Sequence, residues 1–149
     1  MPTPVRILSL LGITAVALLA TPLAAAEKTE ELKLLAGTWK PKEASLGDNK
    51  IDMVLLDTVS LVYEAEKYTL TIGDKVEKGT YTIDPAKTLK TMDIFPTEGD
   101  NNGKTFLAVY KVEGDKLTIC YSLEPSMRPE DFEANSNTLL VVKFEREAK

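Results

Sequence analysis

Gly37-Thr38-Trp39 divides the chain into two kinds of sequence. Before it, residues 27–36 (EKTEELKLLA) space Leu32, Leu34 and Leu35 among charges, as a short helix does. Thr29 is a candidate cap for that helix, Glu30 and Glu31 suit its positive end, and Gly37 stops it. After the tripeptide, apolar and polar residues alternate between turn signals. Trp39 is the only tryptophan of the 149 residues. A lone Gly-x-Trp at the head of a run of strands points to a small antiparallel barrel closed at one end by the indole.

Working outward, residues 39–46 read as the first strand, with Pro41 marking an edge or a bulge. Residues 47–50 form a turn, and residues 51–57 read either as a helical turn or as a loop lid. Strand patterns follow over 59–65, 68–72, 76–83 and 89–95, the last ended by Pro96. They continue over 105–112, 116–122 and 138–146, with a tight turn at Gly114-Asp115. Phe106, Ala108, Tyr110 and Val112 share one face of their strand. The final strand (TLLVVKFER) is apolar on both faces through Val142. Eight strands at this spacing, with no βαβ alternation, predict an all-β fold. The expected form is an antiparallel up-and-down barrel of about eight strands with a short N-terminal helix. Such a barrel is either filled by its own side chains or holds one small ligand.

Residues 1–26 read as a secretory signal peptide: Arg6 supplies the positive charge, residues 7–20 the apolar stretch, and Ala24-Ala25-Ala26 the cleavage pattern. The apolar stretch is shorter than the ~20 residues a membrane span needs. The domain then occupies residues 27–149, exported to the periplasm or beyond the cell, with no membrane insertion after cleavage. The whole chain carries a net charge of −5; removing Arg6 with the leader leaves 17 basic against 23 acidic residues. A scattered acidic surface disfavours nucleic acid and names no partner. Cys120 is the sole cysteine, so no intramolecular disulfide forms. It reads as a small buried filler, with a reactive or intermolecular thiol as the alternative. The chain has no histidine. That removes the Ser-His-Asp and Cys-His constellations and the imidazole zinc sites.

A string of short motifs resembles a family of uncharacterised exported domains, abundant in planctomycete bacteria and described as lipocalin-like. The residues that carry the resemblance are Leu34-Leu35-Ala36-Gly37-Thr38-Trp39, Tyr68-Thr69-Leu70, Gly79-Thr80-Tyr81, Asp84-Pro85 and Met92-Asp93-Ile94. Pro96-Thr97-Glu98-Gly99, Gly103-Lys104-Thr105, Gly114-Asp115, residues 117–121 and Arg128-Pro129 with Phe132 continue it in order. The resemblance implies a lipocalin-like barrel and no defined activity. The wider lipocalin group implies a basic side chain from the last strand packed on the Gly-x-Trp indole. Here that side chain is Arg146 or Lys143, covering Trp39 by a cation–π contact. Gly37, Trp39 and Arg146 are thus expected to plug the closed end.

Binding groups are then expected at the other mouth, on the long irregular segment 123–137. Tyr121, Arg128 and Phe132 are the candidate ligand-binding residues there, with Tyr110 and Phe106 as aromatics lining a cavity. Arg128 has a planar fork suited to a carboxylate or phosphate, with pairing to a nearby acid as the structural alternative. Residues 98–103 look faintly like a calcium loop but lack the EF-hand order, and an acidic hairpin loop explains them. Glu130, Asp131 and Glu133 are neighbours in sequence and ill placed to face each other across a cleft. No metal, cofactor or catalytic residue is expected. The favoured function is a non-catalytic, monomeric binding module for a small apolar or amphipathic molecule in the barrel, or for another exported protein. A structural or interaction domain with a filled barrel is the alternative, and a carboxylate-based enzyme comes third.

Overall fold

The computed structural model describes residues 21–148, so most of the expected leader lies outside the described residues. Helix α1 (Thr21–Leu35) leads into β1 (Gly37–Leu46) and the two-residue β2 (Asn49–Lys50). A single-turn helix α2 (Met53–Leu56) precedes β3 (Val59–Glu64), β4 (Lys67–Ile72), β5 (Lys75–Asp84) and β6 (Thr91–Glu98). The chain ends with β7 (Phe106–Glu113), β8 (Lys116–Ser122) and β9 (Leu139–Arg146). Neighbouring strands pair antiparallel in sequence order, and β1 pairs with β9, so eight strands close into an up-and-down barrel. The short β2 only extends the turn after β1.

Local sequence explains most of the path. The β1–β9 register shifts between Pro41 and Glu43, where a residue without an N–H interrupts the ladder. Asp52 caps α2 through its carboxylate, which accepts from the Val54 N–H at 2.8 Å. Two expectations are corrected. Pro96 does not end its strand: β6 runs on to Glu98, with the extra residue Thr97 bulged opposite the Lys78–Gly79 step of β5 and absorbing the irregularity. Thr29 is not a cap, because α1 already runs through the Ala24-Ala25-Ala26 segment; its hydroxyl donates to the Ala25 carbonyl at 2.8 Å.

The inward-facing residues fall into two layers. Near the start of β1 the barrel is solid, with Trp39, Tyr81, Met92, Tyr110, Leu117 and Ile119 fully buried and Leu35 of α1 capping them. The Trp39 indole N–H donates to the Leu35 carbonyl at 2.8 Å. Above the ring, 4.2 Å from its centroid, lies the Arg146 guanidinium. Its terminal nitrogens donate to the Ala36 carbonyl and, at 2.5 Å, to that of Leu34; Nε reaches Asp115 at 3.2 Å. The last carbonyls of a helix lack intrahelical partners. One cation therefore both caps α1 and roofs the indole. Gly37 has φ +128°, and a Cβ there would stand 2.8 Å from Arg146 Nη1, so glycine alone fits beneath the guanidinium. Lys143, the other candidate for this cover, points outward to Glu43 at 3.6 Å.

Glu31 fixes the helix from the other side. Its Oε1 accepts from Lys90 Nζ at 2.7 Å and from the Tyr110 hydroxyl at 3.2 Å, and the residue is 7% exposed. Lys28 adds an ion pair to Glu66 at 2.7 Å. These docking residues follow Ala26, so cleavage at the expected site keeps them. Replacing Trp39 by alanine is expected to remove about 3–5 kcal/mol of stability, the range for deleting a buried large aromatic. Urea denaturation monitored by circular dichroism measures it; a loss under about 1 kcal/mol would show that the indole is not the plug.

Candidate functional site

The other half of the barrel is hollow. A cavity of about 260 Å³ opens at the end where α2, the β4–β5 turn and the β6–β7 loop meet. Its walls are inward-facing Ala44, Leu61, Leu70, Ile94, Val142 and Phe144, with the rings of Tyr63, Tyr68, Phe106 and Tyr121. Leu55, Ile72 and Leu123 line its mouth while 42–49% exposed, so the rim is apolar as well. Tyr63 marks the floor. Its ring lies against Tyr81 of the solid layer with centroids 4.7 Å apart, and its hydroxyl meets the Met92 sulfur at 3.5 Å. Leu56 is buried and lines the cavity from α2, which settles residues 51–57 as a helical turn lying against the opening.

Among the described residues, one charged side chain faces this apolar space. Glu77 of β5 accepts from the Tyr68 hydroxyl at 2.8 Å and from Asn101 Nδ2 at 2.7 Å, one bond to each carboxylate oxygen. Gly79 makes this possible, since a Cβ there would sit 2.7 Å from the Tyr68 ring. Asn101 comes from the loop with the faint calcium-site look. Its neighbour Asp100 pairs with Lys75 at 3.0 Å instead, and no cluster of three metal-ligating side chains occurs among the described residues. No family model, curated protein or solved structure matches this chain.

The structure divides the five candidate ligand residues. Tyr121 and Phe106 line the cavity as expected. Tyr110 faces inward too, but in the solid layer, where it holds Glu31. Arg128 and Phe132 are not at the mouth. Alternation along β7, β8 and β9 puts Val109, Cys120 and Val141 on the outer wall, and these apolar side chains need cover. The segment after β8 supplies it, with Phe132 and Ala134 packed over them and Lys111 resting on the Phe132 ring at 5.1 Å. Arg128 pins the same segment, donating to Asp93 at 2.5 Å and to the Ala108 carbonyl at 3.0 Å. Its pairing with an acid is thus the structural arrangement, and it does not meet Tyr121. Glu130, Asp131 and Glu133 are all exposed, and Asp131 accepts from the Glu133 N–H at 2.9 Å in a local turn. Glu77 and Asn101, which the sequence reading did not single out as ligand groups, are the polar residues that do reach the cavity.

Burial marks the ionisable hydroxyls and the thiol. All five tyrosines of the chain have pKa values above the ordinary value of about 10, with loss of solvent the leading cause in each. Hydrogen bonding to Glu77 adds to the rise at Tyr68, and the charge of Glu31 to that at Tyr110. A group whose folded pKa is raised contributes stability that is complete below its unfolded pKa. That stability is lost as pH rises from about 10 through the folded values. Tyrosinate absorbance is therefore expected to stay absent near pH 10 and then to appear together with loss of the β-sheet dichroism. Tyrosinate forming near pH 10 in the folded barrel would contradict the buried arrangement.

Cys120 is fully buried on the outer wall beneath the covering segment. Burial, with the Asp131 charge behind it, pushes its thiol up to about 11. At pH 8 the thiolate fraction is then about a hundredfold below that of a free cysteine. Labelling with a disulfide reagent should be negligible in the native protein and prompt in denaturant. Rapid labelling of the folded chain would show that the segment opens.

Proposed function

We propose that this protein is an exported, non-catalytic binding module that takes a small apolar or amphipathic molecule into its barrel. The observation that carries the reading is the cavity of about 260 Å³, walled by aliphatic and aromatic side chains in a barrel whose other half is solid. Ligand sites usually run from about 300 to 1,000 Å³ and combine apolar walls with few polar groups. The cavity stands just below that range, so the ligand is compact or leaves part of itself outside. The exposed apolar rim at Leu55, Ile72 and Leu123 suits a guest that arrives by its hydrocarbon end. Each buried methylene contributes about 0.8 kcal/mol before the cost of association, so the expected affinity is micromolar to millimolar.

Export rests on the signal-like residues 1–26, and membership of the exported lipocalin-like group rests on the motif string quoted above. A monomer acting through its own cavity is part of the same reading. Catalysis has no support in the site: Glu77 has no second carboxylate opposite it on the cavity wall among the described residues.

Native mass spectrometry of the protein purified from the organism that encodes it tests the reading. The expected result is a small adduct that leaves on denaturation and is missing from an Ala44→Phe variant. Ala44 is buried and lines the cavity, so a benzyl group there occupies the space directly. An adduct-free protein that also takes up no apolar molecule in solution would refute the cavity as a ligand site and favour a structural or interaction domain.

A further inference from the structure

Resting on that reading of the cavity, we propose that the preferred ligand carries a protonated amine head, held by Glu77 at the mouth with its hydrocarbon tail in the barrel. The wall chemistry is one-sided. Among the described residues lining the cavity, Glu77 is the one carboxylate, and no lysine or arginine faces it. A carboxylate head would find no cation there and would sit against a like charge; an ammonium head would find its counter-ion.

Glu77 is also held ready. Tyr68 and Asn101 each donate to one of its oxygens at 2.8 and 2.7 Å, which fixes the carboxylate group. A carboxylate has about four lone-pair sites, so about two remain for a ligand that donates. Lys75 and Lys104 are engaged elsewhere. Lys75 Nζ lies 3.0 Å from Asp100, Lys104 Nζ donates to Asn101 Oδ1 at 3.2 Å, and both residues are exposed.

The position of Glu77 suits a head group rather than a tail. The residue lines the cavity and also an adjoining depression on the rim formed with Ile72, Lys75, Gly99 and Asp100. A charge held there keeps contact with water while its tail lies against Leu70, Ile94 and Val142. Tyr68, Phe106 and Tyr121 supply aromatic rings in the same wall, and ring faces attract cations and not anions. Deeper polar atoms offer less. The Tyr63 hydroxyl at the floor already meets the Met92 sulfur.

Calorimetric titration of the purified protein at pH 7 with octylamine, 1-octanol and octanoate separates the head from the tail. Octylamine is expected to bind about tenfold more tightly than 1-octanol, as a charge-assisted hydrogen bond warrants, with octanoate weakest. Glu77→Gln keeps an acceptor for Tyr68 and is expected to bring the amine-to-alcohol ratio to about one, its fold checked by melting. Ala44→Phe is expected to abolish octylamine binding. The amine inference is overturned if octanol or octanoate binds as tightly as octylamine to the unaltered protein. It is also overturned if the amine preference survives Glu77→Gln, or if octylamine still binds the Ala44→Phe variant. If none of the three binds, the cavity itself is no ligand site, and both readings fall together.

Discussion

The Arg146 guanidinium lies over the face of Trp39 while its nitrogens hold the carbonyls of Leu34 and Ala36. Through that one side chain the last strand meets the first strand and the helix in front of it. The indole in turn binds the Leu35 carbonyl, so helix, ring and cation lock one another. Cation–π contacts and helix-end charges are each modest on an exposed surface, about 0.3–1 kcal/mol, and larger where water is excluded. Here both act at a fully buried ring, and they seal one end of the barrel with few alternatives for packing. Everything above the seal inherits its geometry.

The two halves of the interior differ because their side chains differ in bulk. Below, the large side chains of Trp39, Tyr81, Tyr110 and Met92 are fully buried in one cluster. Above, Ala44, Leu61, Leu70 and Val142 reach less far inward, and the tyrosines stand along the walls. Interiors pack close to crystal density, so a hollow of this size in one half of a small barrel marks a departure from ordinary core filling. No fully buried side-chain nitrogen or oxygen among the described residues lacks a partner.

Much of this was legible in the chain. Gly37-Thr38-Trp39 located the closed end, the strand count predicted the barrel, and Arg146 was named with Lys143 as the cover for the indole. The site was harder. Arg128 and Phe132 belong to a long segment that also looks like a mouth loop. The signal against that reading was in the last strand, which is apolar on both faces. In a barrel whose interior takes every second residue, apolar residues on the outer face require a cover, and the segment after β8 provides it. Glu77 was hidden for a different reason. It shares the inward face of β5 with Gly79, Tyr81 and Ile83, but its partner Asn101 lies 24 residues away in sequence. A lone glutamate near the start of a strand reads as a solvated charge, even where alternation with Tyr81 and Ile83 turns it inward. Pro96 reads as a strand end because it offers no N–H to the ladder, and the bulge at Thr97 beside it lets β6 continue.

Closure by β1 against β9 also constrains the order of folding. Ala36 and Arg146, joined by a hydrogen bond, are 110 residues apart in sequence. The consecutive hairpins from β3 to β8 can form from neighbours as they become available, whereas the closing seam waits for the last strand. Contacts of such long sequence separation are slow to form, because the loop entropy is lost before the contact is gained. Until β9 arrives, the edge of β1 is unpaired and the indole is open to solvent. During that interval the sheet is an open template, the state in which edge-to-edge association between chains is easiest. Pro41 and the bulge beside it lie on that same waiting edge. A strand that cannot offer an unbroken row of donors is a poor partner for another copy of the chain, so the irregularity that bends β1 in the finished barrel also protects the unfinished one.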